Sequence, residues 1–321
     1  MHAKIMGTGS YLPDNQVTNH YISTLVDTSD EWIKERTGIA SRHISTGETT
    51  VEMAAAAGKK ALEDAGIGAL DVDLIIVATV SADHLLPSTA CSVQKELGAV
   101  NAAAFDINAA CSGFLFALNI ADSYIQTGMC RTALLIGVET LSKITNWNDR
   151  NTCILFGDGA GAAVITASET PGFMAGIQGS DGARGHVLSC RGRTTDNPFA
   201  DGDLSLGYIY MDGPEVFKFA VKKVPECIQE VLEKGNRNLE DVSLFLLHQA
   251  NFRIIKSIAH RLRLPLEKFP VNVDECGNTS AASVPILLDE TNKKGLLHSG
   301  ELVVLAGFGA GLTWGAALLE W

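Results

Sequence analysis

A chain of 321 residues, 46% apolar and only 19% charged, can bury a large core and is a poor candidate for long disorder. Its net charge of −12 gives no support to nucleic-acid binding. No apolar run reaches the ~18 residues of a membrane span, and the start lacks the basic and apolar pattern of a secretory leader. A cytoplasmic protein with no membrane association is therefore expected. Seven cysteines, at 91, 111, 130, 153, 190, 227 and 276, are odd in number, scattered and without CxxC spacing. Neither a disulfide framework nor a metal site is expected from them.

In chain order, apolar periodicity predicts a helix over 50–65, a strand over 74–80, helices over 88–97 and 112–127, and strands over 132–140 and 161–167. Pro171-Gly172 punctuates the chain. Beyond it come a helix over 215–234, a strand over 244–249, helices over 252–263 and 281–292, and strands over 302–308 and 315–321. The continuous Val/Ile/Leu content of these strands predicts burial on both faces. Strand and helix alternate in both halves, which predicts a layered α/β fold with mostly parallel sheets.

The chain also repeats itself. Leu62-Glu63 matches Leu232-Glu233, Asp71-Val72 matches Asp241-Val242, and Leu74 matches Leu244, all at an offset of 170. The same register pairs Asn108 with Asn278, Gly137 with Gly307, Cys111 with Ala281, and Ala78 with His248. Two duplicated halves are expected, 1–170 carrying Cys111 and 171–321 carrying His248 and Asn278. GAAVI at 161–165 matches GAALL at 315–319 with a shorter offset, so the first half holds about 16 extra residues, 141–156. An insertion on one copy of a duplicated scaffold is a candidate functional loop.

Three residues carry the candidate chemistry. Cys111 lies just before a predicted helix, whose amino end favours thiolate and lowers the pKa; the alternative is a buried structural cysteine. His248 closes an apolar run, at the strand end where α/β sheets bind ligands; alternatively it is a satisfied core histidine. Asn278 precedes the helix predicted at 281–292 and is otherwise a turn or capping residue. The repeat brings the loops of Asn278 and Cys111 face to face. A sulfur nucleophile with imidazole and amide donors, and no acidic third partner, suits acyl exchange on thioesters. The two donors suit an enolate formed by loss of carbon dioxide. Backbone amides of AGFGAG (306–311) can form a second oxyanion hole.

Two further segments have a functional and a structural reading. Arg253, Lys256, His260 and Arg263 form a basic stripe on the helix at 252–263, either a solvated face or a dock for an acidic partner. GDGAGA at 157–162 leads into a strand-like run, not a helix, so packing explains it better than dinucleotide binding.

AACSGF around Cys111, HQAN at 248–251, GNTSAASVP at 277–285, FGAGLTWGAAL at 308–318 and DEWIKERTGIASRH at 30–43 together resemble the β-ketoacyl-acyl-carrier-protein synthase III family, end to end. The resemblance implies a thiolase-like duplicated fold in α-β-α-β-α layers and a homodimer. It implies condensation of a short acyl-CoA with malonyl-acyl-carrier protein, without metal or other cofactor. Cys111 would carry the acyl group, with backbone N–H groups of Cys111 and Ala310 as oxyanion hole and His248 and Asn278 promoting decarboxylation. Thr28, Trp32, Arg36, Arg150, Gly213, Asn251 and Phe308 would contact the CoA substrate, and Leu86 the acyl pocket. Lys218, Arg253, Lys256 and Arg261 would dock the carrier protein.

The chain departs from the family pattern at Ser112, Ala310, Leu86 and His260, where alanine, glycine, phenylalanine and lysine are commoner. Related condensing enzymes of polyketide type or hydroxymethylglutaryl-CoA synthases share the Cys, His and Asn set. A non-catalytic acyl-CoA-binding protein is the alternative of a different class.

Overall fold

Leu74–Ala78 and Thr132–Thr140 are strands almost free of exposed side chains, as continuous apolar runs require when a sheet is covered on both faces. A computed structural model describes residues 2–321 and places these strands inside a five-stranded sheet. Its order is His2–Tyr11, Asp158–Ser168, Thr132–Thr140, Leu74–Ala78, Ala103–Ile107. A four-stranded sheet follows the same plan in the order Phe173–Ser180, Thr313–Glu320, Leu302–Gly309, Val242–Leu247. The chain crosses from the first sheet to the second at 169–172.

Between the sheets lie the helices Gly113–Gln126 and Ser283–Lys293. Phe114, Leu118 and Ile125 of one and Val284, Leu287 and Leu288 of the other share a buried cluster with both sheets. Outside the first sheet pack Thr50–Ala65 and Thr89–Leu97. Outside the second pack Gly213–Lys234 and Phe252–Leu262. The result is the five-layer α-β-α-β-α arrangement of the thiolase-like fold, mixed α/β throughout.

The sheets are not mostly parallel, as the alternation of elements had suggested. Leu74–Ala78 runs parallel to both its neighbours and Val242–Leu247 runs parallel to Leu302–Gly309. Every other pairing in the two sheets is antiparallel. For the last two strands the reason is connection length. Thr313 pairs with Gly309 across a tight turn, and a short link can join only antiparallel strands.

The second half also lacks the counterpart of Ala103–Ile107. At the matching register stands a one-turn helix, Val273–Cys276, which buries Val273 and Cys276 and exposes the acidic pair between them. That spacing of three fits a helical turn and not a strand. Its carbonyls are used elsewhere: Asp274 O accepts from Ala40 N–H at 2.8 Å and Glu275 O from the Ser41 hydroxyl at 3.2 Å.

Candidate active site

The two turns that carry the candidate chemistry are copies of one device. Ala110–Ser112 and Ser280–Ala282 are single 3₁₀ turns leading into the two central helices, 170 residues apart. Ala110 and Ser280 both take left-handed backbone angles, φ 46° and 48°, at a cost of about 1–2 kcal/mol each for a residue with a side chain. An asparagine two residues earlier steadies each turn: Asn278 Oδ1 accepts from Ser280 N–H at 2.9 Å and Asn108 Oδ1 from Ala110 N–H at 3.4 Å.

Strand Leu302–Gly309 passes Cys111 without a side chain in the way. A Cβ on Gly309 would stand 2.6 Å from Cys111 N, and one on Gly307 would stand 3.2 Å from His248 Cβ and 3.8 Å from Cys111 O. The two glycines therefore bring thiol and imidazole to one place. On the symmetric side, a Cβ on Gly137 would collide with Ala281 O. Asn278 joins through its turn, since the Ser280 hydroxyl lies beside the Cys111 sulfur as a hydrogen-bond partner. The inserted segment holds Asn278 from behind. Its backbone N–H donates to Leu155 O at 2.8 Å, and its carbonyl accepts from Gly157 N–H at 3.0 Å. With Oδ1 committed to Ser280, the two Nδ2 hydrogens are left as the donors.

His248 is buried among apolar groups, edge-on to Phe308 at 5.4 Å, and desolvation holds its pKa down to about 3. It is neutral at physiological pH. Its Nδ1 lies 2.5 Å from the Ser283 hydroxyl, which also accepts from Gln249 N–H at 3.3 Å. With the Ser283 hydroxyl donating to Nδ1, the ring proton sits on Nε2, which is the tautomer that a donor role toward the site requires. In the first half the matching positions are Ala78 and Gly113, in van der Waals contact range with no room for a Cβ on the glycine.

Cys111 departs from expectation. Burial pushes its thiol up to about 12, against the smaller lowering effect of Ser280, and Glu139 pushes it further up. Desolvation outweighs the favourable position ahead of the helix, so the thiol rests protonated. Glu139, which the sequence reading missed, is fully buried beneath the Ser280 turn. Desolvation raises its pKa to about 7. The signal was available, since the offset of 170 pairs Glu139 with Gly309. Ser283 was missed for a different reason, because a serine in a small-residue run has no periodic mark.

The other candidate residues fall into separate groups. Arg150 and Arg36 lie over the Trp32 ring, 4.8 and 5.7 Å from its centroid, so the insertion does meet the helix Asp30–Thr37. Gly213 opens its helix into free space, with only Met211 Cε near. The Thr28 hydroxyl is buried without a hydrogen-bond partner. Asn251 caps the helix Phe252–Leu262 and donates to Arg36 O at 3.1 Å, a structural use of its amide. Phe308 backs His248, and Ala310 follows Gly309 at the turn beside Cys111.

The basic face is built from two helices, not one. Arg253 lies 5.8 Å over Phe217, Arg261 Nη1 donates to Val221 O at 3.3 Å, and Lys256 is exposed alongside. Lys218 pairs with Glu215 at 2.8 Å, next to exposed Lys222, which the sequence reading did not single out. Arg263 leaves the predicted stripe, because it ends the helix in a left-handed conformation at φ 57°. Leu86 corrects another expectation. It is 88% exposed at a loop tip, and so is not enclosed in an acyl pocket within this chain.

Residues 105–182 match the family described as 3-oxoacyl-[acyl-carrier-protein] synthase III, and residues 232–321 match its C-terminal region. The chain is 50% identical over 319 residues to β-ketoacyl-[acyl-carrier-protein] synthase III of Clostridium acetobutylicum, covering 99% of this chain and 98% of the relative. It is 51% identical over 321 residues to the Clostridium perfringens (strain SM101) enzyme of that name, covering 99% of each. Among solved structures, 3-oxoacyl-[acyl-carrier-protein] synthase III from Aquifex aeolicus superposes with a TM-score of 0.93 at 48% identity, covering 99% of this chain and 100% of the other. The priming β-ketosynthase of the R1128 polyketide pathway gives 0.92 at 36%, covering 99% and 96%.

The glycine passage makes a direct prediction. In Gly309→Ala the new methyl, 2.6 Å from Cys111 N, must displace the nucleophile's turn. Acyl transfer to Cys111, followed by intact-mass spectrometry, is expected to slow on the order of 100-fold. A variant that folds and acylates at the parent rate would show that this contact does not position the sulfur.

Proposed function

Because this chain belongs to the β-ketoacyl-acyl-carrier-protein synthase III family, a group of initiating condensing acyltransferases, we propose that Cys111 is its acyl-carrying nucleophile and acetyl-CoA its primer. The observation that supports this is the strand edge at Gly307 and Gly309, which lies against both His248 and Cys111, with the Asn278 turn reaching the sulfur through Ser280. The sulfur attacks the acyl-CoA thioester, and backbone N–H groups of Cys111 and Ala310 hold the oxyanion until CoA leaves as thiolate. Malonyl-acyl-carrier protein then binds with its thioester oxygen between His248 Nε2–H and Asn278 Nδ2–H.

The bond to the malonyl carboxylate breaks, carbon dioxide departs, and the electron pair becomes an enolate stabilised by those two donors. The enolate carbon attacks the acyl carbonyl, and the Cys111 thiolate leaves with the electron pair of the carbon–sulfur bond. A neutral imidazole suits this step, because an imidazolium would protonate and quench the carbanion. Burial of His248 supports that state. The steps call for no metal or prosthetic group, with the CoA thioester entering as substrate. A priming enzyme of a polyketide-type pathway would use the same three residues; curated relatives at about half identity favour fatty-acid initiation.

For the CoA nucleotide we propose the Trp32 face, with Arg150 parting from the ring to clamp the adenine and Arg36 beside it. Thr28, Gly213 and Asn251 would flank the pantetheine, and Phe308 would support His248. Lys218, Arg253, Lys256 and Arg261 would receive the acidic carrier protein. We place both partners in the cytoplasm; no helix among the described residues is long and apolar enough to cross a membrane.

A homodimer is supported by two neighbouring features. Leu85 and Leu86 stand 89% and 88% exposed, on the loop entering the helix Thr89–Leu97 whose first N–H groups bond Asp106. Asp106 lies on the open edge strand Ala103–Ile107. An apolar tip beside an unpaired edge is a surface that a second copy would cover, and Leu86 would reach an acyl pocket only across that boundary.

Incubation with acetyl-CoA is expected to add one acetyl mass to Cys111, discharged as acetoacetyl product by malonyl-acyl-carrier protein but not by malonyl-CoA. No adduct on a folded chain would refute the reading. Trp32→Ala is expected to raise KM for acetyl-CoA about tenfold while leaving a nucleotide-free acetyl thioester unaffected; equal effects on both would remove the adenine clamp. Sedimentation should give a dimer that Leu85→Asp with Leu86→Asp dissociates, and a monomeric parent would overturn the proposed assembly.

A further inference from the structure

Cys111 rests as a thiol in a desolvated site, and a nucleophile must lose that proton. His248 is held neutral with Nδ1 engaged by Ser283, and in the donor role proposed above its Nε2 carries the proton and is no free base. A buried carboxyl that the steps above do not use lies on the other side. Glu139 Oε2 accepts from the Ser81 hydroxyl at 2.5 Å, Val80 N–H at 3.1 Å and the Thr79 hydroxyl at 3.3 Å.

The donors at Oε2 have settled directions. Ser81 Oγ is itself an acceptor for Thr140 N–H, and Thr79 Oγ1 for Ser81 N–H, so each gives its own hydrogen to Glu139. Oε2 is thus saturated as an acceptor. The free proton site is Oε1, and its partner is the Ser280 hydroxyl at 3.1 Å. That hydroxyl is also the group beside the Cys111 sulfur.

We propose that Glu139 is the internal acceptor of the Cys111 proton, reached through the Ser280 hydroxyl. The S–H bond breaks as Ser280 Oγ takes its proton, and the hydrogen already on Oγ passes to Glu139 Oε1. The negative charge moves from carboxylate to sulfur, and the net charge of the site is unchanged. CoA then leaves as thiolate to solvent, and Glu139 keeps the proton for the life of the acyl-enzyme. When condensation expels the Cys111 thiolate, the same path returns it.

Glu139 acts through Ser280 and is a positioning residue. While protonated it also removes a like charge from a site where an enolate oxygen must form. A carboxyl raised by burial to about 7 is available to take a proton near neutrality, while the thiol's higher value of about 12 keeps the transferred state a minor one that acyl attack draws off.

Among the described residues no other titratable group competes at this point. Lys143 reaches the far side of the loop, donating to Ser81 O and pairing with Asp83. His248 is neutral, and the facing turns 280–283 and strand 302–309 carry no ionisable side chain. The inference rests on Cys111 as nucleophile, and its test uses iodoacetamide, which needs no acyl-CoA. Failure here therefore leaves the proposed substrate untouched, and the reverse also holds.

Alkylation of the Cys111 peptide, followed across neutral pH by mass spectrometry, is expected to rise to a plateau with a midpoint near 7. Glu139→Gln keeps the shape and removes the acceptor, so the midpoint should move up by about one pH unit or more. A bystander carboxylate predicts the opposite, because removing an anion beside a thiol eases its ionisation. An unchanged or lowered midpoint in Glu139→Gln overturns the relay. Glu139→Asp, which keeps the charge but withdraws Oε1 from Ser280, is the second variant should the first fail to fold. The relay again requires an upward shift, and a profile identical to the parent's overturns it.

Discussion

Everything at this site depends on one close approach, the passage of strand Leu302–Gly309 against the turn of Cys111. Without side chains at Gly307 and Gly309, backbone and thiol meet at a separation that no Cβ permits. The same strand receives His248 N–H on Ala306 O at 2.9 Å. Sulfur and imidazole are thus indexed to one rigid element, and a rigid strand holds them more closely than mobile loops could. The symmetric passage of Gly137 against Ala281 seats the other turn, and with it Asn278. Neither passage would serve without the left-handed residues Ala110 and Ser280, which reverse the chain just before each central helix.

Dryness is the second constraint. The layers that cover both sheets bury His248 and Glu139 and desolvate Cys111 where the halves meet, and this shifts the protonation of all three. Desolvation favours the uncharged form, so it lowers the imidazole and raises both the thiol and the carboxyl. A helix terminus is a weaker influence than desolvation, which is why a local reading of Cys111 anticipated the wrong direction. What remains is a set of groups each engaged by a neighbour: Ser283 for His248, Ser280 for Asn278, and Ser81 and Thr79 for Glu139.

Much of this was legible in the amino-acid order, and the remainder was hidden for identifiable reasons. The helices Thr50–Ala65 and Phe252–Leu262 stand within a residue of their apolar periodicity, because burial of one face dictates both. The central strands were visible as continuous Val/Ile/Leu runs. His2–Tyr11 and Phe173–Ser180 were not, since glycines and polar residues interrupt them and only their pairing with the last strand of each half makes them strands. Strand direction was misjudged because alternation records the order of elements and not the direction in which each pair runs. Cys111, His248 and Asn278 stood out because the repeat isolates them. Leu86 did not reach a pocket, because a single chain presents that loop to solvent.

The repeat explains more than the location of the site. Cys111 stands opposite Ala281, His248 opposite Ala78, Ser283 opposite Gly113, and Glu139 opposite Gly309. In each pair one copy bears the reactive or supporting group and the other has been reduced to alanine or glycine. Packing accounts for this. The two turns approach across a nearly twofold centre, and at Gly113, Gly137 and Gly309 the approach leaves no space for a side chain. Gly309 must be small because Cys111 is there, and Gly113 lies against Ala78 where no further atom fits. Asymmetry of chemistry is then the form in which a duplicated fold can place nucleophile, donors and carboxyl in one enclosed volume.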